Sequence, residues 1–261
     1  MSRVLTVDIG NTTTRFGLFS LEGGEPGLEG TCELTTPARI TADEARIQAA
    51  QALAIMGAEP VPDAILSCVV PALTDAWRRA LAELCGARPL VVGPGLKTGV
   101  CMRYDDPAEI GPDRIADVVA TRAAFGAPAV AIDLGTTTNF EAIDADGAFA
   151  GGIIAPGVAL GARSLAQAAA RLPMIELRAP ERVIGRSTQT AMQSGVVLGE
   201  AARIDGLIDA IAGELGAEAP IVITGNGARD IAALLKHDAA VDETLTLRGL
   251  ALIWQLNRRK R

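Results

Sequence analysis

The sequence predicts an α/β fold built twice, and three observations carry that reading. A short phrase recurs. Val7-Asp8-Ile9-Gly10-Asn11-Thr12-Thr13-Thr14-Arg15-Phe16 stands near the start, and Ile132-Asp133-Leu134-Gly135-Thr136-Thr137-Thr138-Asn139-Phe140 almost half the chain later. Each copy follows an apolar run and leads into another, the outline of a strand, a glycine turn and a second strand. About half of the 261 residues are apolar, with few aromatics among them, a mix suited to Ala-rich helices laid on Val/Ile strands. A chain of this length begins to divide its core. Two domains of common size are therefore expected, residues 1–122 and 123–261.

Residues 3–8 read as a buried strand and 15–20 as the next. Gly23-Gly24-Glu25-Pro26-Gly27 marks a hairpin loop before a third strand at 28–34. Helical spacing over 42–56 puts Ala45, Ala49, Leu53 and Met56 on one stripe. Residues 64–70 form an apolar strand, and Pro71 opens a helix running to Leu84. A short strand at 90–92 and further strand material at 98–104 precede a helix at 113–125. Gly126-Ala127-Pro128 interrupts that helix near the boundary. The second half repeats the order. Strands at 129–132, 140–143 and 149–154 enclose the turn signal Asp146-Gly147. Helices follow at 158–171 and 189–214, then a strand at 221–223 and helices at 228–236 and 247–257.

Composition excludes several classes of function. The formal charge is −7, and the one basic cluster, Arg258-Arg259-Lys260-Arg261, reads as a solvated end, so nucleic-acid binding by phosphate neutralisation is not expected. Cys32, Cys68, Cys85 and Cys101 form no C-x-x-C pair and read as buried thiols in a reducing compartment. A single histidine, His237, gives little support to a zinc site or a His-based triad. Asp8 interrupts any signal-peptide pattern, and no apolar run is long enough to span a membrane. A cytoplasmic location is expected.

The chemistry concentrates in three places. In the first turn, Gly10 permits a tight bend, so main-chain N–H groups and the hydroxyls of Thr12 and Thr13 can face an anion. Asp8, at the strand end, could hold Mg²⁺ through water. The second turn repeats the design, with Asp133 for a cation and Thr136 for a phosphate oxygen. A pair of such turns suits a grip on nucleotide phosphates; the bland alternative is a duplicated structural turn with threonines capping the backbone. No G-x-x-x-x-G-K-[ST] and no G-x-G-x-x-G after a strand occur. The third place is Tyr104-Asp105-Asp106-Pro107 followed by Gly111-Pro112-Asp113-Arg114. Pro112 puts Asp113 and Arg114 at a helix start. The helix dipole favours Asp113 there but offers Arg114 nothing, so an external anion is its expected partner. Asp113 could accept a proton from a substrate hydroxyl; a first-turn acid with a local ion pair is the plain alternative.

These residues match a family pattern. The chain resembles the type III pantothenate kinases, a branch of the superfamily that includes acetate kinase, sugar kinases and actin. The likeness rests on six segments in order: Asp8–Thr12, Gly111–Arg114, Asp133–Thr136, Gly151–Gly157, Gly185-Arg186-Ser187-Thr188 and Leu245–Leu250. It implies duplicated actin-like (ribonuclease H-like) α/β domains, each a mixed five-stranded sheet with flanking helices. It implies ATP-dependent phosphorylation of pantothenate to 4′-phosphopantothenate, the first step of coenzyme A biosynthesis, with Asp113 as general base. Tyr104, Gly111, Pro112, Asp113, Arg114 and Thr188 would then bind pantothenate. Asp8, Ile9, Gly10, Asn11, Thr12, Thr13, Thr14, Arg15 and Thr136 would hold ATP. Asp133 would hold a monovalent cation, K⁺ or NH₄⁺, beside the Mg²⁺ at Asp8. A homodimer with the active site completed across the interface is also implied, and the small residues Ala191, Gly195 and Ala202 suit close helix packing. Glu141, Asn226 and Pro112 depart from the usual pattern. The same family includes accessory factors linked to transcription, so a non-catalytic role is the alternative.

Overall fold

A computed structural model describes residues 3–21 and 24–258. Two compact units emerge, Met1–Ala124 with Thr244–Arg261, and Phe125–Glu243. The expected second domain of 123–261 differs at its end, because the closing helix packs on strands of the first unit.

In the first unit, β1 (Arg3–Ile9), β2 (Thr13–Ser20) and β3 (Gly27–Thr35) form an antiparallel meander. Helix α1 (Ala42–Ile55), β4 (Ala64–Cys68), α2 (Pro71–Cys85) and β5 (Leu90–Val91) follow. The sheet order is β3-β2-β1-β4-β5, with β4 and β5 parallel to β1. A 3₁₀ turn at Pro107–Glu109 leads into α3 (Pro112–Phe125). The second unit runs β6 (Ala129–Leu134), β7 (Thr137–Ile143), β8 (Phe149–Pro156), α4 (Val158–Ala168), α5 (Thr188–Gln193), α6 (Gly199–Leu215), β9 (Ile221–Gly225), α7 (Ala228–Ala232) and β10 (Ala240–Val241). Its order is β10-β9-β6-β7-β8. Read from the other edge, that is the order of the first sheet, so the repeated phrase marks a repeated topology. Helix α8 (Leu245–Asn257) closes the chain.

Local chemistry accounts for the helix ends. Thr41 and Glu44 form a reciprocal capping box at the start of α1. Pro71 takes the first position of α2, and Gly86, at φ 66°, ends it. The α1 stripe buries Ala45, Ala49, Ala52 and Leu53. Against it lie Leu5, Val7, Phe16, Leu66 and Trp77, all fully buried, and the Phe16 and Trp77 rings meet at 5.7 Å. Large side chains buried this way are worth about 1.5–3 kcal/mol each relative to exposure. The second core joins Val130, Ile132 and Phe140 of the sheet to Ile204, Ile208 and Ile211 of α6.

Four expectations change. Residues 98–104 form no strand; Met102 makes only an isolated bridge. Gly99 has φ +75°, which breaks a pleat, and side chains satisfy the segment's backbone instead of a ladder. Asn257 bonds both the amide and the carbonyl of Lys97, and Arg122 donates to the Gly99 carbonyl. The helix expected over 189–214 is interrupted at Ser194–Leu198 by a π turn, where the Gly199 amide reaches back to the Ser194 carbonyl. The helix expected to reach 236 stops at Ala232, because the Asp205 carboxylate takes the amides of Lys236 and His237. No cysteine is fully buried: Cys32, Cys68 and Cys85 are half-buried and Cys101 is exposed. Burial still raises the first three thiols, Cys85 to about 11. The basic tail at 259–261 and the Gly23 end of the first hairpin loop lie outside the described residues.

His237 is clasped between two acids of α6. Its Nδ1 lies 2.9 Å from Asp205 and its Nε2 2.9 Å from Asp209. The Asp205 hydrogen bond raises the imidazole above its ordinary value; desolvation opposes it, and the Asp209 bond and charge add to the rise. Burial works to raise Asp205, but bonds from the His237 ring and the Lys236 and His237 amides together hold it below the carboxylate range. The His237 contribution to stability is therefore full below about pH 6.5, the unfolded value, and is lost as pH rises through the raised folded value. The Asp205 contribution is present above about pH 3.9 and lost as pH falls through its lowered value. Urea unfolding at pH 6 and pH 8.5 should show the native protein losing stability at the higher pH, and His237→Gln should flatten that difference.

Candidate active site

Both glycine turns are built at the end of the central strand of a sheet, and both place an acid in a row of polar side chains. Asp8 on β1 stands in register with Arg15 on β2 and Ser67 on β4. Asp133 on β6 stands in register with Asn139 on β7 and Thr224 on β9. Neighbours in register share a face of the sheet. Ser67 and Thr224 are fully buried, and their hydroxyls have no hydrogen-bond partner among the described residues; the same is true of the Asn139 side-chain oxygen. Buried polar atoms of this kind call for a ligand or water. Sequence reading missed Ser67 and Thr224. The signal was there: Ala64-Ile65-Leu66-Ser67 and Ile221-Val222-Ile223-Thr224 are both three apolar residues ending in a hydroxyl.

The first turn is held from two sides. Gly10 donates to the Thr13 carbonyl at 2.9 Å, and Thr36 donates to the Thr12 carbonyl at 2.9 Å. Asn11 and Thr12 are exposed and Thr13 half-buried, so they present amides and hydroxyls outward. Ile9 and Thr14 are fully buried. The Thr14 hydroxyl is engaged with that of Thr36 at 2.9 Å, so its side chain supports the turn from beneath. Arg15 pairs with Glu33 on β3 at 3.4 Å and stands in register with Asp8 on β1.

The second turn is one residue shorter. Gly135 donates to the Thr137 carbonyl at 2.9 Å, and β7 begins two residues after Gly135 where β2 begins three after Gly10. Thr136 is exposed at its tip. Two other glycines press on this turn. Gly157 donates to the Thr136 carbonyl at 3.1 Å, and a Cβ there would meet the carbonyls of Gly135 and Thr136. Gly225 has φ +88°, and a Cβ there would meet the Leu134 carbonyl and the Asp133 carboxylate. The Asn226 amide fastens the same Leu134 carbonyl at 2.8 Å. Glu141 lies fully buried opposite Gly152.

Asp113 and Arg114 occupy the first turn of α3, with Pro112 at its first position. Asp113 is partly buried and accepts the Arg114 amide at 2.8 Å. Burial pushes its carboxyl above the ordinary value, against the opposing pull of that amide and the Arg114 charge. Arg114 is 5% exposed, so its guanidinium sits inside the protein and acts on Asp113. Gly111 explains itself: a Cβ at that position would collide with Asp113 Oδ1. Gly111→Ala should therefore push the carboxylate aside; with Asp113 in the role that the resemblance implies, turnover should drop about 10-fold or more. Its melting temperature should stay near that of the parent, because only a side-chain tip must move. Tyr104 is half-buried in the loop before the 3₁₀ turn, and Thr188 is exposed at the first position of α5.

Residues 4–210 match the family model described as type III pantothenate kinase. A type III pantothenate kinase of Roseiflexus sp. (strain RS-1) is 38% identical over 257 residues, covering 98% of this chain and 99% of its own. That of Thermomicrobium roseum is 42% identical over 250 residues and 95% of each chain. Among solved structures, a Campylobacter jejuni protein described as a Baf family transcriptional activator superposes with a TM-score of 0.64 at 19% identity, covering 97% of this chain and 98% of that one. A glucokinase from an Antarctic psychrotroph gives 0.51 at 11% identity, covering 98% and 100%. The two sheets of like order are those of duplicated actin-like domains. No described helix is long and apolar enough to cross a membrane. With the family model matched over most of its length and relatives aligned nearly end to end, the chain belongs to the type III pantothenate kinase family.

Proposed function

We propose that this chain transfers the γ-phosphoryl group of ATP to the primary hydroxyl of pantothenate, giving 4′-phosphopantothenate for coenzyme A biosynthesis. The observation that carries the reading is the family match, with the partly buried Asp113 carboxylate at the mouth of α3 beside the buried Arg114. A base with raised proton affinity is better suited to take a proton from an alcohol as the oxygen attacks. The displacement is in line, with no covalent enzyme intermediate, so the protein acts by positioning and by countering charge.

The residues divide by role. The exposed amides and hydroxyls of Asn11, Thr12 and Thr13, with Thr136 on the second turn, bind ATP phosphates. Asp8 and Gly10 shape the first turn, and Arg15 offsets phosphate charge. Gly111 through Arg114, Tyr104 and Thr188 bind pantothenate, with Thr188 completing a site in a homodimer. The oxygen donors in the Asp133 row, Asn139 and Thr224 included, fit a hard cation such as K⁺ or NH₄⁺, and Asp8 with Ser67 fits Mg²⁺ through water. Those ions supply charge neutralisation to the phosphates. The protein is expected in the cytoplasm, without a nucleic-acid partner. The alternative of a non-catalytic accessory factor in transcription is not favoured, since Asp8, Asp113, Arg114 and Asp133 are all in place.

A coupled assay of ADP release with pantothenate, ATP, Mg²⁺ and either K⁺ or Na⁺ tests the reading. Release that requires pantothenate is the expected result. ADP formed at the same rate without pantothenate, or no release under any cation, would defeat it.

A further inference from the structure

Glu200 and Arg203 form a polar network beneath the second turn that the assignments above do not use. Glu200 is 4% exposed at the start of α6. Its Oε1 accepts the hydroxyl of the fully buried Thr138 at 2.6 Å. Arg203, one helical turn on, pairs with the other Glu200 oxygen. The same guanidinium donates to the Pro156 carbonyl at 2.7 Å. Pro156 precedes Gly157, whose amide fastens the Thr136 carbonyl. An unbroken chain of contacts thus runs from α6 through the end of β8 to the tip of the turn.

The π turn before α6 gives this placement a cause. One extra residue in a helical turn rotates everything after it by about 100°. The insertion at Ser194–Leu198 therefore decides which face Glu200 presents. The turn is itself anchored: Ser194 donates to the Val183 carbonyl at 2.5 Å and Gln193 to that of Glu176 at 3.0 Å. Burying the Glu200 carboxylate is costly unless its bonds are satisfied; the half-buried Arg203 and the Thr138 hydroxyl satisfy it, and Arg203 carries that anchorage on to the Pro156 carbonyl.

We infer that Glu200 and Arg203 are positioning residues that hold the Gly135–Thr136 turn in the shape that receives a nucleotide phosphate. The inference rests on the assignment of that turn to ATP and names what keeps it competent. Arg203 acts through Pro156 and Gly157, and Glu200 acts by orienting Arg203 and Thr138.

The test uses the full chain carrying Arg203→Met. A second variant, Glu200→Gln with Arg203→Met, removes both charges so that no lone buried carboxylate threatens folding. Amide hydrogen exchange over 149–160 and 133–143 reads the fastening without any ligand, and ATP titration reads its consequence. Expected are faster exchange at Gly157, ATP affinity weakened about 10-fold, as for a lost bond to a charged group, and a pantothenate KM that stays within about 2-fold. Unchanged exchange at Gly157 in both variants would overturn the inference, as would faster exchange with ATP affinity intact. If the native protein itself fails to bind ATP, the assignment of the turn falls, and the exchange arm alone decides the positioning role.

Discussion

Replacing Asp113 with Asn is expected to cut turnover at least about 100-fold while the fold survives, the lower end of what loss of a general base costs. The amide keeps the shape of the carboxylate and can still accept the Arg114 amide bond seen at 2.8 Å, but it takes no proton. Stability should hold or improve, and the sign follows from burial. Desolvation raises the carboxyl above its ordinary value, so its charged form is penalised in the folded state at neutral pH. Removing the charge removes that penalty, and active-site substitutions of this kind commonly leave a protein no less stable. The pH profile supplies a second check. With Asp113 as the base, kcat/KM must fall as pH drops through a pKa above the ordinary aspartate value of about 3.9. Steady-state rates across pH 4–8, with thermal melts of both proteins, measure all of this. Near-native turnover in Asp113→Asn would remove the base assignment.

Much of this protein is legible in its sequence because local signals and the global plan agree. The two Asp-x-Gly turns mark the central strands of two sheets of identical order, and Pro112 and Pro71 mark helix starts. What hides is of two kinds. Long-range partners leave no local trace: Ser67 joins Asp8, and Thr224 joins Asp133, only through parallel pairing across a crossover. Ordinary-looking pairs conceal special ones: Glu200 and Arg203 stand three apart on a helix, a spacing that gives no sign of the Thr138 and Pro156 bonds they make. Thr14 and Arg15 show the converse. A hydroxyl and a cation beside a turn proposed to hold phosphate invite assignment to the ligand alone, yet the Thr14 hydroxyl is engaged with Thr36 and Arg15 also pairs with Glu33. The strand expected at 98–104 failed because Gly99 takes a left-handed φ and helix side chains, not a ladder, bond the backbone at Lys97 and Gly99.

The Leu245–Leu250 segment opens α8, and its glycine makes the second large prediction. Gly249 of α8 sits against the backbone of α3: a Cβ there would collide with the Cα, carbonyl carbon and oxygen of Ala116. Backbone cannot swing aside as a side-chain tip can. One turn of α8 earlier, Thr246 donates to the buried Asp117 carboxylate at 2.6 Å, locking the two helices in register. Gly249→Ala must therefore pry α8 from α3, and overpacking of this kind costs about 1–3 kcal/mol. At about 2–4 °C per kcal/mol for a chain near this size, the melting temperature should fall by several degrees. Turnover should fall as well, because Ala116 lies less than one helical turn from Asp113 on α3. A contrast fixes the cause. Gly206, inside α6, has nothing within 4 Å of a Cβ, so Gly206→Ala should gain stability, about 0.5–1 kcal/mol from helix propensity. Opposite signs for two glycine-to-alanine changes in helices would tie the loss to the α3–α8 contact. A Gly249→Ala protein as stable and active as its parent would show that α3 tolerates displacement at Ala116, and that this helix mouth is held by something other than its packing on α8.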